Sequence, residues 1–135
     1  MGEGPLKGLR IIDLTDDSGR FATKLLSETG ASVVRIGRAN SGPAMSDSSA
    51  AALGGVLDWW YDGGKDRLDL DLDTDAGRDA YRRLAAVADL IIDTEAPGRL
   101  SSLGLSHGDL VASNPRLVDR KSTRLNSSHV SESRM

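Results

Sequence analysis

The sequence predicts an α/β fold: a truncated Rossmann-like open, mainly parallel sheet with flanking helices. Three observations predict it. Short runs rich in branched apolar residues recur, LRIIDL at 9–14, ASVVRI at 31–36 and DLIID at 89–93. Each is too short for a helix and apolar enough to be buried on both faces. Segments with apolar residues at helical spacing lie between them. The joints are short and rich in Gly, Ser, Thr and Asp, the residues of turns.

Taken in order, Leu9 to Leu14 is the first strand and Thr15 to Gly19, TDDSG, a turn. Phe21, Ala22, Leu25 and Leu26 fall on one side of a helix, which is expected to face the sheet. Gly30 suits the position that closes such a helix. Ala31 to Ile36 is the second strand, so strand, helix and strand form a βαβ unit with parallel strands. Gly37 to Ala52 reads as a long loop, and Leu53 to Tyr61, with Trp59 and Trp60, as a short packed element.

Asp62-Gly63-Gly64-Lys65 is a turn. Arg67 to Asp73, RLDLDLD, alternates strictly, which marks a strand with one wet face near a sheet edge. Asp73 or Thr74 caps the next helix, with Ala80, Leu84, Val87 and Ala88 as its apolar stripe. Asp89 to Asp93 is a buried strand. Pro97 suits the first turn of a short helix ending near Gly104. Ser106 and Asp109 form a variant capping box before Leu110 to Ser113. A last strand begins at Arg116 to Val118.

Composition narrows the function classes. There is no cysteine in 135 residues and there are two histidines, so disulfides, thiolate metal sites and cysteine nucleophiles are excluded. No apolar run approaches the roughly 20 residues that span a bilayer, and no leader-like segment opens the chain. A cytoplasmic location, with no membrane partner, is the expectation. The last 17 residues carry four basic and two acidic groups of a net −3, which leaves −5 on residues 1–118. An acidic body does not suit nucleic acid.

Candidate chemistry is sparse. The TDDSG turn lies where α/β folds place ligands, but Asp16 and Asp17 would repel an anion and GxGxxG is absent. It reads equally as a capping turn. Arg35 and Arg38 flank the end of the second strand and suit a phosphate or an adenine, or simply solvent. Gly64 and Lys65 lack the Walker spacing. The row Asp69, Asp71, Asp73 and Asp75 reads as a solvated strand face, not a calcium loop. No nucleophile–base pair is visible.

Three ordered stretches carry a resemblance: GPLKGLRIIDLT, FATKLLSETGASVVRI, and the run from GGKDRLDLDLD through DLIIDTEAPGRLSSLGL to NPRLV. Together they are similar to the N-terminal part of the family III CoA-transferases, the CaiB/BaiF group of formyl-CoA transferase and α-methylacyl-CoA racemase. The resemblance implies an enzyme that moves CoA between carboxylic acids through an aspartyl intermediate, or racemises an acyl-CoA. It implies a homodimer with CoA or acyl-CoA as substrate, a carboxylic acid as second partner, and no permanently bound cofactor. By position it implies CoA contacts at Arg38, Gly64, Lys65, Pro97 and Gly98.

The family's glutamate before Arg38 is Gly37 here, its Asn-Phe-Arg is Thr94-Glu95-Ala96, and the arginine of its LERLGL is Ser102. Its nucleophilic aspartate follows NPRLV at some distance. None of Asp13, Asp16, Asp17, Asp62 or Asp93 is therefore expected to act as nucleophile, and the chain is expected to be inactive. Two other classes fit the same layout, a receiver-like domain and a nucleotide-binding regulatory α/β domain.

The close, DRKSTRLNSSHVSESRM, could be a basic arm, a phosphorylation tail or neither. Permitted codons for its first 11 residues match a common sequencing-library adapter. Residues 1–118 are thus expected to form the Rossmann-like part, and residues 119–135 a disordered tail translated from adapter DNA.

Overall fold

The computed structural model describes residues 3–38 and 48–122, and no side chain of Arg38 or of residues 48–54. The described residues form five strands and five helices, in the order β1 (Arg10–Leu14), α1 (Arg20–Glu28), β2 (Ser32–Arg38), α2 (Ser48–Asp62), β3 (Asp66–Leu70), α3 (Asp75–Ala85), β4 (Leu90–Asp93), α4 (Arg99–Ser102), α5 (His107–Val111) and β5 (Val118–Lys121). All strand pairs are parallel, in the order β3-β2-β1-β4-β5. That is the doubly wound order of dinucleotide-binding folds, whereas receivers use 2-1-3-4-5. Topology therefore rejects the receiver alternative.

β1 is central, paired to β2 at Ile12–Val34 and to β4 at Ile12–Ile91. Four of its five residues are buried, as a strand covered on both faces requires. One face, carrying Ile12, Leu14, Ile36 and Ile91, packs against Tyr81, Ala85, Leu100, Leu105 and Leu110 in the larger core. The other face contributes Ile11, Val33 and Ile92 to a smaller cluster with Ala31. β3 lies at the sheet edge as expected, but it is exposed on both faces, Leu68 included, rather than on one. The expected acidic row does not form, because the strand stops at Leu70 and Asp73 N–H turns back onto Asp71 at 3.0 Å.

The structure corrects several local expectations. α1 buries Arg20, Thr23, Lys24 and Ser27, while Phe21 and Leu25 face outward. Of its expected apolar stripe only Leu26 packs on the sheet, against the Ile11, Val33 and Ile92 cluster, because the buried carboxylate there demands polar partners. β2 runs on through Gly37 and Arg38, and the expected loop contains the first turns of α2; residues 39–47 of that loop lie outside the described residues.

α3 is capped by Thr74, whose hydroxyl accepts from Gly77 N–H at 3.1 Å, worth about 1 kcal/mol. Its buried stripe is Gly77, Tyr81 and Ala85, continued by Ala88, and Val87 is exposed. Gly77 is small for a reason: a Cβ there would run into the Asp71 carbonyl.

Pro97 stands one residue before the Gly98 cap of α4, not in its first turn. Gly98 takes φ +83°, a conformation that favours glycine. The Ser106–Asp109 capping box is complete: Asp109 N–H donates to Ser106 Oγ at 3.2 Å and Ser106 N–H to Asp109 Oδ2 at 3.0 Å. β5 covers Val118 to Lys121 rather than ending at Val118, so Asp119 lies on the core face beside Ile91.

Candidate functional site

In a sheet of this order the strand direction of connection reverses between β1 and β4, where such folds leave a crevice for ligands. Here the two loops close on each other. Asp16 N–H donates to Thr94 Oγ1 at 2.7 Å. A Cβ at Gly19 would meet the methyls of Thr15 and Thr94, both at 2.8 Å. Asp16 and Asp17 add negative charge to the same mouth. A pyrophosphate has neither the space nor the charge it would need there.

The groups with the strongest mutual geometry lie beside that crevice, under α1. Asp13, near the end of β1, is fully buried. Its Oδ1 accepts from Thr15 N–H at 2.9 Å and Thr15 Oγ1 at 2.6 Å. Its Oδ2 accepts from Thr23 Oγ1 at 2.6 Å, Lys65 Nζ at 3.0 Å and Arg35 Nη1 at 3.4 Å. Burial pushes the Asp13 carboxyl up, but the Thr15 and Thr23 hydroxyls and the Lys65 charge outweigh it and hold the group below the usual carboxylate value.

The network continues outward. Asp62 receives Arg35 Nε at 3.3 Å and Lys65 Nζ at 3.5 Å. Arg20, only 8% exposed in its side chain, donates to Asp58 at 2.6 Å and pairs with Asp17 at 3.2 Å. Its guanidinium lies 4.5 Å from the centre of the Tyr61 ring. Burial works against its charge, but Asp58, Asp17 and Asp62 raise its pKa further. Four elements are joined through these ions.

A second group of carboxylates lies at the ends of β4 and β5. Asp93 is 1% exposed, and its Oδ1 accepts from Glu95 N–H at 3.1 Å and lies 3.9 Å from Lys121 Nζ. Burial first, and then the Asp119 charge, push the Asp93 carboxyl up to about 6. Asp119 Oδ1 and the Tyr81 hydroxyl are buried without a hydrogen-bond partner. Two like charges and two unsatisfied oxygens in one corner are a cost to the fold. Among the described residues no group of His, Cys, Asp or Glu is arranged to hold a metal.

The residues expected to contact CoA are dispersed. Lys65 is 1% exposed in its side chain and bonded to Asp13, Thr23 Oγ1 at 2.8 Å and Arg20 O at 3.2 Å. Gly64, at φ +85°, accepts from Ser27 Oγ at 3.0 Å through its carbonyl. Arg38 pairs with Leu70 at the far end of β3, roughly 16 Å from Lys65 along the strand. Pro97 and Gly98 are exposed on the other side of β1, and a Cβ on Gly98 would meet nothing within 4 Å. Arg20, Thr23 and Asp58 escape the sequence reading, and Asp13 and Asp62 enter it only as carboxylates not expected to act as nucleophiles. Their signal is an aspartate inside an apolar run and a second, polar stripe at Arg20, Thr23, Lys24 and Ser27.

Residues 6–123 match the model of CoA-transferase family III. The chain belongs to that family. Among curated relatives it is 29% identical over 119 residues to succinyl-CoA:(R)-benzylsuccinate CoA-transferase subunit BbsE of Thauera aromatica, covering 84% of this chain and 29% of that one. It is 33% identical to succinyl-CoA:mesaconate CoA-transferase of Haloarcula hispanica, covering 85% and 31%. The crystal structure of Rv3272 from Mycobacterium tuberculosis superposes with a TM-score of 0.76 at 27% identity, over 93% of this chain and 35% of that one. A CAIB/BAIF family protein from Brucella suis gives 0.70 at 28% identity, over 89% and 33%. The chain thus spans about a third of the length of the family III proteins it matches. Its five-stranded parallel sheet is the family's fold, and no helix among the described residues is long and apolar enough to cross a membrane.

Proposed function

We propose that residues 1–118 are the N-terminal, CoA-binding layer of an enzyme that transfers CoA from an acyl-CoA to a carboxylic acid. The family match over residues 6–123 carries this reading. In the whole enzyme an aspartate carboxylate attacks the thioester and expels CoA thiolate, leaving a mixed anhydride; the thiolate then attacks the aspartyl carbonyl to give aspartyl-CoA and release the donor acid, which is covalent catalysis without metal or cysteine. The enzyme works as a homodimer in the cytoplasm. Racemisation of an acyl-CoA is the second family chemistry, and no residue described favours it.

Arg38, Gly64, Pro97 and Gly98 are the proposed CoA contacts. Arg38 ends β2, where dinucleotide folds place the residue that reads the ribose and its phosphate. Lys65 serves the groove through position: its ammonium is held by Asp13, and it fixes the turn that presents Gly64. Asp13 and Asp93 are buried and hydrogen-bonded, so neither carboxylate meets a thioester. The chain of 135 residues is therefore expected to bind CoA without turning it over. Incubation with succinyl-CoA and a panel of carboxylic acids, followed by chromatography of the CoA products, tests this. No new acyl-CoA is expected; turnover abolished by Asp13→Asn or Asp93→Asn would refute it.

A further inference from the structure

We propose that Asp69, held across Gly37 by Arg67, reads the ribose of bound CoA: its carboxylate accepts the free 2′-hydroxyl and excludes a phosphate at that position. This selection presupposes the CoA reading and adds to it the residue that tells one ribose isomer from the other. β2 and β3 run side by side to their carboxyl ends, with Gly37 opposite Asp69 and Arg38 opposite Leu70. That edge of a doubly wound sheet takes nucleotides, and an acidic residue there holds the ribose hydroxyl of dinucleotides. β2 ends on Gly37 and Arg38 and offers no acid at this place. β3 supplies one from the side.

A Cβ at Gly37 would collide with Asp69 Oδ1 and crowd Arg67 Nη2 at 3.2 Å. The pair therefore lies over the end of β2, in the space a side chain at position 37 would fill. Arg67 Nε donates to Asp69 Oδ1 at 3.0 Å, which leaves Asp69 Oδ2 and both Nη groups of Arg67 unpaired among the described residues. The two side chains are 57% and 52% exposed, so a ligand reaches them. An exposed pair of this kind adds little to stability, so the fold alone gives no reason for its place across a glycine. The chemistry of the pair suits a ribose that carries one hydroxyl and one phosphate. A carboxylate accepts a hydroxyl proton in a strong, charge-assisted bond. A phosphate on the same ribose oxygen would set like charge against it. The guanidinium beside it has donors left for a phosphate on the neighbouring 3′-oxygen. CoA has that substitution, a hydroxyl at 2′ and a phosphate at 3′.

The test is a calorimetric titration of the 135-residue chain with CoA and with iso-CoA, the isomer whose ribose phosphate sits on the 2′-oxygen. The parent chain is expected to bind CoA about ten-fold or more tightly than iso-CoA. Asp69→Asn keeps an oxygen acceptor and removes the charge. It should bring the two affinities within about two-fold, chiefly by strengthening iso-CoA, with an unchanged melting temperature. Gly37→Ala puts a methyl where the carboxylate lies and should narrow the preference as well, a response that a surface charge acting at a distance would not give. Binding of CoA with no preference over iso-CoA, or a preference unchanged in either variant, would overturn this inference and leave the CoA reading standing. No binding of CoA by a chain that melts cooperatively would overturn both.

Discussion

Asp13 is held by five donors around its two oxygens, and its partners are themselves buried. Lys65→Met removes the nearer of the two cations on the buried Asp13 carboxylate and leaves it with Arg35 at 3.4 Å, a change that costs at most about 3–5 kcal/mol. The double variant Asp13→Asn with Lys65→Met removes both charges and should be more stable than Lys65→Met alone. Urea denaturation of the three proteins checks the order. If Lys65→Met melts like the parent, the ammonium is not a structural partner of Asp13.

Asp93 gives the opposite sign. Its folded pKa is raised from 3.8 to about 6, so the folded chain holds a proton there that the unfolded chain has released. Stability from this group is fully present below about pH 4 and is lost as pH rises through about 6, by at most about 3 kcal/mol. Asp13, held low, loses its contribution only below about pH 4. Between about pH 4 and 6 the Asp93 effect should therefore dominate, and the melting temperature should fall as pH rises. Asp119→Val removes the like charge and an unsatisfied buried oxygen. It should raise the melting temperature at pH 7 and flatten that slope.

At the scale of elements, α1 is the informative case. Phe21→Ser should change stability by less than about 0.5 kcal/mol, the range of surface substitutions. Thr23→Ala, which strips a buried donor from Asp13, should cost about 1–3 kcal/mol. The reverse ranking would restore the ordinary orientation of the helix. Gly77→Ala separates packing from propensity: an exposed helix gains up to about 1 kcal/mol from this change, whereas here the Asp71 carbonyl stands in the way and a loss is expected. Strand identity was legible because branched apolar runs report burial on two faces. The orientation of α1 was not, because it depends on a single aspartate whose partners come from four separate segments. Tyr81 was passed over for the same reason: a stripe of Ala80, Leu84 and Val87 scores well locally, and only the neighbouring helices decide which side is covered. Among the CoA candidates, position along the chain points to the turn at Gly64 and the end of β2, but it does not reveal that Lys65 is spent on Asp13.

For the whole molecule, the sheet order, the family match and the closed crevice between β1 and β4 point the same way. A nucleotide is not expected inside the closed crevice; the proposed path runs from the Gly64 turn toward Arg38 at the end of β2, with Pro97 and Gly98 at the neighbouring end of β4. The span of roughly 16 Å between Lys65 and Arg38 along β3 suits an extended ligand, and CoA is one. The most direct measurement is a calorimetric titration of the 135-residue chain with CoA and with 3′-dephospho-CoA. The account predicts saturable binding of CoA, weaker binding of the dephospho form, and loss of that difference in Arg38→Ala. Equal binding of both ligands by the parent chain, or no binding of CoA by a chain that melts cooperatively, would contradict it.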